Sequence, residues 1–305
     1  MSKKIILLAG PTASGKSNIA IKLAKKINGE IINADSMQVY KEFLILSSRP
    51  RPSEIKNVKH HLYGFISIRD YFSAGDWLKY AKNQIRKCHK RNKTPIVVGG
   101  TGLYFNTIIK GISKIPKIDL KTRNKVRKLY VKLGKDNFYK KLLKTDPLIK
   151  NKIISTDSQR AQRAYEVILK TKRSLFEWIK ETKPEFIDHE IKKIYLNIPR
   201  EKLLKNIYLR TEKMFKDNCE KEVKKFNLLK LKKSYSGNKL IGIKEINDFL
   251  KKTISLDQCK NLINIRTRQY AKRQNTWARG HMKNWNKLYT EDSSDLLKKI
   301  LKVVS

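Results

Sequence analysis

The chain has 305 residues and sets 70 Lys and Arg against 27 Asp and Glu, a formal net charge of +43. Such a field attracts polyanions and supplies phosphate-neutralising cations. The excess of Lys over Arg, with abundant Ile and Asn, is equally what drift in an AT-rich coding sequence produces, so charge alone leaves both readings open. No run approaches the ~20 apolar residues of a membrane span, and Cys88, Cys219 and Cys259 are too scattered for a disulfide framework or a zinc site, which fits reduced thiols in a cytoplasmic protein.

The first apolar run, residues 5–9, is too short for a signal peptide and feeds directly into Gly10-Pro11-Thr12-Ala13-Ser14-Gly15-Lys16-Ser17, after which residues 18–27 carry helical periodicity. Strand, G-x-x-x-x-G-K-S and helix together predict a phosphate cradle. Loop amides and the helix N-terminus point at the anion, Lys16 reaches the outer phosphate, and the Ser17 hydroxyl is placed to hold Mg2+. The loop reads phosphate and not nucleoside.

Residues 30–34 and 94–98 are further strand-like runs and residues 75–91 a helix, so the first 112 residues predict an α/β fold: a P-loop NTPase-like parallel sheet flanked by helices, with its ligand at the carboxyl ends of the strands. The second strand runs into Asn33-Ala34-Asp35-Ser36-Met37-Gln38-Val39-Tyr40. Asp35 there is either a general base or a helix cap, and pattern alone does not decide. The strand at 94–98 leads into Gly99-Gly100-Thr101-Gly102, with no acidic residue of the kind a nucleotide hydrolase uses to hold magnesium. His60-His61, lacking a partner at metal spacing, reads as structural.

From residue 113 to 192 the pattern turns to Lys-rich helices, 120–133 and 158–170, read as a mostly helical insertion. Residues 193–198 look like a strand returning to the core, 201–224 a helix, 256–281 a long basic helix and 293–304 an amphipathic end, giving a third block at 193–305.

In chain order, residues 10–17, 35–40, His60-His61-Leu62, Ser73-Ala74-Gly75-Asp76, 95–104, Asp157-Ser158-Gln159-Arg160, Ile241-Gly242 with Lys244-Glu245, and residues 267–279 (Thr-Arg-Gln-Tyr-Ala-Lys-Arg-Gln-Asn-Thr-Trp-Ala-Arg) follow the pattern of the bacterial tRNA dimethylallyltransferases, and nearly the whole chain resembles that family. The resemblance implies transfer of a dimethylallyl group from dimethylallyl diphosphate to N6 of the adenosine 3′ to the anticodon, by a monomer acting on the anticodon stem-loop. It implies Asp35 as the base for the N6 proton and Thr101 as an aid near the bridging oxygen. Lys16, the loop amides and Mg2+ on Ser17 would hold the diphosphate. Contacts to tRNA map onto Asp35, Ser36, Met37, Gln38, Thr101, Arg123, Gln159, Arg160, Ala161, Gln162, Arg163, Lys239, Lys244, Lys272, Arg273, Gln274, Trp277 and Arg279.

Two departures stand out. A Gly-Thr-Ala-Lys-Pro segment of the family is Leu46-Ser47-Ser48-Arg49-Pro50 here, and its three spaced arginines after Pro199 become Arg200, Asn206 and Arg210, so a contact at Asn206 is expected to be lost. The competing readings are a small-molecule kinase of the same phosphate-loop architecture, and a non-catalytic RNA-binding protein with a decayed loop.

Overall fold

The computed structural model describes residues 3–55, 57–232, 235–289 and 293–305. Six parallel strands, β1 (Lys3–Ala9), β2 (Gly29–Asn33), β3 (His60–His61), β4 (Thr94–Gly99), β5 (His189–Asn197) and β6 (Asn286–Tyr289), lie in the order β3-β2-β4-β1-β5-β6. β1 sits between β4 and β5 with Ile5 to Leu8 wholly buried, which is why it reads as a continuous apolar run with no alternation.

The helices wrapping this sheet are α1 (Lys16–Lys26), α2 (Ala74–Lys90) and α3 (Gly102–Lys110), then, after the insertion, α7 (Arg200–Lys216), α8 (Cys219–Leu228), α9 (Ile243–Leu250), α10 (Leu256–His281) and α11 (Ser293–Val304). α11 returns to the first helix: Leu296, Ile300 and Val304 share a core cluster with Ile19, Leu23, Ile6, Leu8 and Leu196. α2 begins in a capping box in which the Ser73 hydroxyl accepts from Asp76 N–H, and Trp77 in its first turn donates to the Asn33 carbonyl at the end of β2. Gly99 closes β4 where a Cβ would lie 2.1 Å from the Ala34 carbonyl oxygen, so a side chain there would force two of the site's turns apart.

The chain divides into two compact units, residues 1–106 with 186–305, and residues 107–185. The second has its own core of Val126, Phe138, Leu142, Ile149, Ile153, Ala161, Ala164 and Tyr165, built by α4 (Leu120–Thr145), α5 (Ser158–Thr171) and α6 (Leu175–Lys180). The helix expected over 120–133 ends where Gly134 leaves helical geometry at φ 70°, and a second stretch continues to Thr145.

Three differences from the sequence reading have local causes. β5 starts at His189, ahead of the expected 193, because Lys3 and Lys4 of β1 pair with His189 and Glu190 and extend the sheet through polar residues that carry no strand pattern. The unit boundary accordingly falls after 185 instead of 192. The single helix expected over 201–224 is two, broken at Asn218 in the left-handed region at φ 61°. β3 and β6 are short and polar and have no signal of their own. Among the described residues no helix is long and apolar enough to cross a membrane.

Candidate active site

Three turns meet at the carboxyl ends of β1, β2 and β4. Gly10 N–H donates to the Gly99 carbonyl at 3.3 Å and Thr101 N–H to the Ala34 carbonyl at 3.1 Å, so the phosphate loop, the Asp35 turn and the Gly99-Gly100-Thr101 turn are joined through backbone. The phosphate loop turns into α1 at Gly15, whose φ of 77° is the left-handed conformation that favours glycine. A cavity of about 570 Å3 opens above these turns, lined at one end by Thr12 to Ser17 and by Asp35 to Gln38. Leu46, Met214, Leu240, Ile241 and Ile263 contribute apolar surface, and Arg210, Lys239, Tyr270 and Arg273 complete the wall.

Inside the cavity, charge is concentrated and desolvated. Lys16 Nζ donates to the Pro11 carbonyl at 3.0 Å, and burial lowers its pKa to about 8, the Asp35 carboxylate opposing and Arg210 reinforcing that shift. Arg210 is likewise pushed down by burial and held up in part by Asp35. Its guanidinium donates to Thr12 Oγ1 at 2.5 Å and to the Leu46 carbonyl at 3.2 Å. Tyr270 is pushed up by burial and then by the Asp35 charge. The Asp35 turn is closed by its own backbone: Asp35 N–H donates to Asn33 Oδ1 at 2.8 Å, and Asp35 Oδ1 accepts from Met37 N–H at 2.9 Å.

No helix follows Asp35, so it is not a helix cap; its carboxylate closes a local turn instead. It also lines the cavity. The Ser14 hydroxyl is buried on the cavity wall with no hydrogen-bond partner, an orphaned donor of the kind an anion in the cradle would satisfy. The donor set also suits Mg2+, a hard cation that keeps several waters and takes few protein oxygens. Ser17 Oγ is the nearest hydroxyl in the loop sequence to Lys16, and diphosphate oxygens would supply the rest.

Among the expected site residues, Gly10 and Pro11 form the back of the loop, and Thr12, Ala13, Ser14, Gly15, Lys16 and Ser17 line the cavity, as do Asp35, Ser36, Met37, Gln38, Lys239 and Arg273. Thr101 stands one layer behind: its Oγ1 accepts from Ser36 N–H at 2.9 Å and lies 3.3 Å from Ser36 Oγ, so it holds the Asp35 turn from below. Gln274 is committed within the protein, its Oε1 accepting from Thr12 N–H at 2.8 Å and its Nε2 donating to the Gly100 carbonyl at 3.0 Å. It clamps the phosphate loop to the glycine turn, and it occupies the Thr12 amide that a phosphate would otherwise meet.

Trp277 stacks on His281 at 4.3 Å and lays its ring on Gly102, while Trp285 is a core residue edge-on to Phe105. Lys272 and Arg279 are exposed along α10, and Lys244 pairs with Asp248 one turn on. In the second unit Gln159 and Arg160 are exposed, Gln162, Arg163 and Arg123 are half-buried, and Ala161 is buried in the core and presents no side chain to a partner.

The family model described as IPP transferase matches residues 38–281. A tRNA dimethylallyltransferase of Pelagibacter ubique is 52% identical over 299 residues, covering 98% of this chain and 96% of that protein, and one from Rickettsia massiliae is 42% identical over 99% and 84%. The chain belongs to the IPP transferase family. Among solved structures, a full-length tRNA isopentenylpyrophosphate transferase from Bacillus halodurans superposes with a TM-score of 0.70 at 28% identity, covering 99% of this chain and 97% of that one. A eukaryotic dimethylallyltransferase described as acting on tRNA superposes with 0.82 at 30% identity, over 96% and 75%.

Against the family pattern, this IPP transferase accommodates both departures. Leu46 needs no glycine backbone, since the positive φ in that segment, 49°, falls on Ser48. Asn206 keeps a role in the site: its Nδ2 donates to the Ala13 carbonyl at 3.0 Å, bracing the phosphate loop from α7. Arg210 and Tyr270 are site residues that sequence reasoning passed over. Each lay inside a motif, the spaced arginines and the 267–279 run, but only the fold shows which members of those motifs face the cavity. His61 has partners that its sequence neighbours do not show: its Nε2 and Arg91 both bind the Glu30 carboxylate at 2.6 Å, and Cys88 Sγ lies 3.4 Å from the same oxygen. Burial pushes Glu30 up, and the hydrogen bonds from Arg91 and His61 outweigh it and hold its pKa at about 2.

Proposed function

We propose that the protein transfers a dimethylallyl group from dimethylallyl diphosphate to the exocyclic N6 of the adenosine 3′ to the anticodon in tRNA and releases diphosphate. The observation that carries this is one cavity joining a phosphate loop, the Asp35 turn and an apolar wall. The strand that would supply a nucleotide enzyme with a magnesium carboxylate ends instead in Gly99-Gly100. A diphosphate ester with a hydrocarbon tail and an adenine amine uses every part of that cavity.

In the transfer, the N6 lone pair bonds to the prenyl C1 as the C1–O bond breaks, and the electron pair leaves with the diphosphate. N6 is a poor nucleophile because its lone pair is conjugated with the ring. Asp35 accepts its proton and orients the amine, with Thr101 holding the Asp35 turn in place through Ser36. Lys16 and Arg210, already desolvated, stabilise charge developing on the leaving group without reorganising. Mg2+, held by Ser17 and phosphate oxygens, would supply further neutralisation of the diphosphate. The base must leave its stack to enter. Lys239 and Arg273 on the rim, Lys272 and Arg279 on α10, and Gln159, Arg160, Gln162, Arg163 and Arg123 on the helical unit would carry the RNA backbone. One chain holds every group invoked, which supports action as a monomer on an anticodon stem-loop, and a tRNA substrate supports a cytoplasmic location.

Incubating the wild-type chain with labelled dimethylallyl diphosphate, or with labelled ATP, across a panel of tRNAs tests the reading. Label is expected in tRNA from the prenyl donor alone. Phosphoryl transfer from ATP with no prenyl transfer would overturn it in favour of a kinase.

A further inference from the structure

Residues 43–50 have no regular secondary structure and contribute Leu46, Ser47, Ser48 and Pro50 to the cavity wall, and three successive amides in that loop converge on one carboxylate. Glu222, on α8, accepts from the N–H groups of Leu44 at 2.7 Å and Ile45 at 2.9 Å through one oxygen, and from Leu46 at 2.8 Å through the other. Hydrogen bonds to an ionised acceptor are about twice as strong as neutral ones, and consecutive amides facing one way form the concave nest that loops offer to external anions. Here the chain fills the nest itself. Phe226, on the same helix, sits ring to ring with Phe43 at 5.0 Å, so α8 grips the loop by an apolar and a charged contact together.

The grip reaches the reacting groups through Leu46. That residue is buried and lines the cavity, whereas Glu222 does not line it. The Leu46 N–H is held by Glu222, and its carbonyl holds one arm of the Arg210 guanidinium, whose other arm is on Thr12 of the phosphate loop. Releasing that N–H leaves the Leu46 carbonyl held only by the loop's own turns, Ser48 N–H on Ile45 and Arg49 N–H on Leu44, and so loosens one of the two anchors of Arg210.

We propose that Glu222 is a positioning residue for prenyl transfer. It fixes Leu46, and through Leu46 it aims Arg210 at the diphosphate and sets the apolar wall beside the prenyl tail. The inference rests on the function proposed above.

Glu222→Gln keeps the volume of the side chain but turns an NH2 toward the loop amides, so it cannot accept on both sides. With the wild type active, the variant is expected to lose about 10- to 100-fold in kcat/KM for dimethylallyl diphosphate, with kcat falling because Arg210 acts on charge that develops in the transition state, and with tRNA affinity unchanged. Glu222→Asp, which keeps the charge but withdraws it by one methylene, should fall between the two, and supplies the same reading if the amide variant does not fold. Glu42→Gln is the matched control: Glu42 tethers a neighbouring loop by accepting from Ser67 Oγ and Ile68 N–H and does not line the cavity. It should lower Tm comparably while leaving kcat/KM near the wild-type value.

A double-mutant cycle with Arg210→Lys completes the test, because a residue acting through Arg210 has little left to lose once Arg210 is replaced. Full activity in both Glu222 variants, an equal kcat/KM loss in Glu42→Gln, or losses that multiply with Arg210→Lys would each overturn the positioning role. A wild-type chain that transfers nothing to any tRNA would sink the proposed function itself, and this inference with it.

Discussion

The two units of the chain hold their cations in opposite ways. In the first, Lys16 and Arg210 are desolvated among fixed partners, and burial pulls the pKa of each below its ordinary value. In the second, Arg160 and Arg163 stand three residues apart on α5, each near a carboxylate one turn away, Asp157 and Glu166, both at 3.4 Å. Arg160 keeps 65% of its side chain in solvent. Charges of the first kind act at short range in a low dielectric, where they stabilise a leaving group strongly. Those of the second kind are more solvated and paired at the surface, and on the proposed function would exchange an internal partner for an RNA phosphate at little cost. One formal charge of +43 thus contains two populations with different work, and they can be separated experimentally.

The largest effect should come from the carboxylate facing the buried cations. Asp35→Ala is expected to lower single-turnover prenyl transfer by about 10² to 10⁴, with tRNA binding much less affected, because the proton leaves N6 only as the new bond forms. A full rate at saturating tRNA, in a variant whose fold is confirmed by circular dichroism, would remove Asp35 from the mechanism. Chelating divalent cations with EDTA should come next, with loss of at least about tenfold restored by added Mg2+. Retention of full rate in chelator would show that Lys16 and Arg210 neutralise the diphosphate unaided.

Lys16 makes a pH prediction with a definite sign. Its pKa is lowered to about 8, so the ammonium form that would bind diphosphate is present below pH 8 and is lost above it. The kcat/KM for dimethylallyl diphosphate, which reports groups of the free enzyme, should therefore fall as pH rises through about 8. In Lys16→Ala that limb should disappear while tRNA affinity stays largely intact. A limb that persists in the variant would assign the titration to another group.

The smallest effect belongs to the arginines of the second unit. Arg160→Gln with Arg163→Gln should weaken binding to every substrate tRNA alike and flatten the salt dependence by about one unit of slope per phosphate contact removed. Lys298→Gln with Lys299→Gln, on the terminal helix, should leave the slope nearly unchanged. Identical behaviour of the two pairs would mean that the charge acts as a diffuse field and that α5 holds no particular place on the RNA.

Much of the first unit's machinery is legible in the amino-acid sequence. The phosphate loop, the turn after Asp35 and the long helix at 256–281 are local events, in which glycine, capping residues and apolar period dictate conformation within a few residues, and the helix ends fall where expected. The parallel order of the central strands follows from their alternation with helices. By contrast, nothing local distinguishes Gln274 as a clamp between two loops from Gln274 as an RNA contact, because its partners, Thr12 and Gly100, lie 262 and 174 residues away. Asn206 looks like a loss in the pattern and proves to be a brace on Ala13, and Ala161 sits in a motif and proves to be core. Glu222 gives no sign at all, since its value comes from three amides on a loop 176 to 178 residues upstream. Sequence specifies what short-range sterics and periodicity can enforce, namely the cradle, its chemistry and the class of fold. Which side chain turns inward, and what it finds there, is decided only when distant segments pack, because burial and partnership are properties of the assembled surface and not of any one stretch of chain.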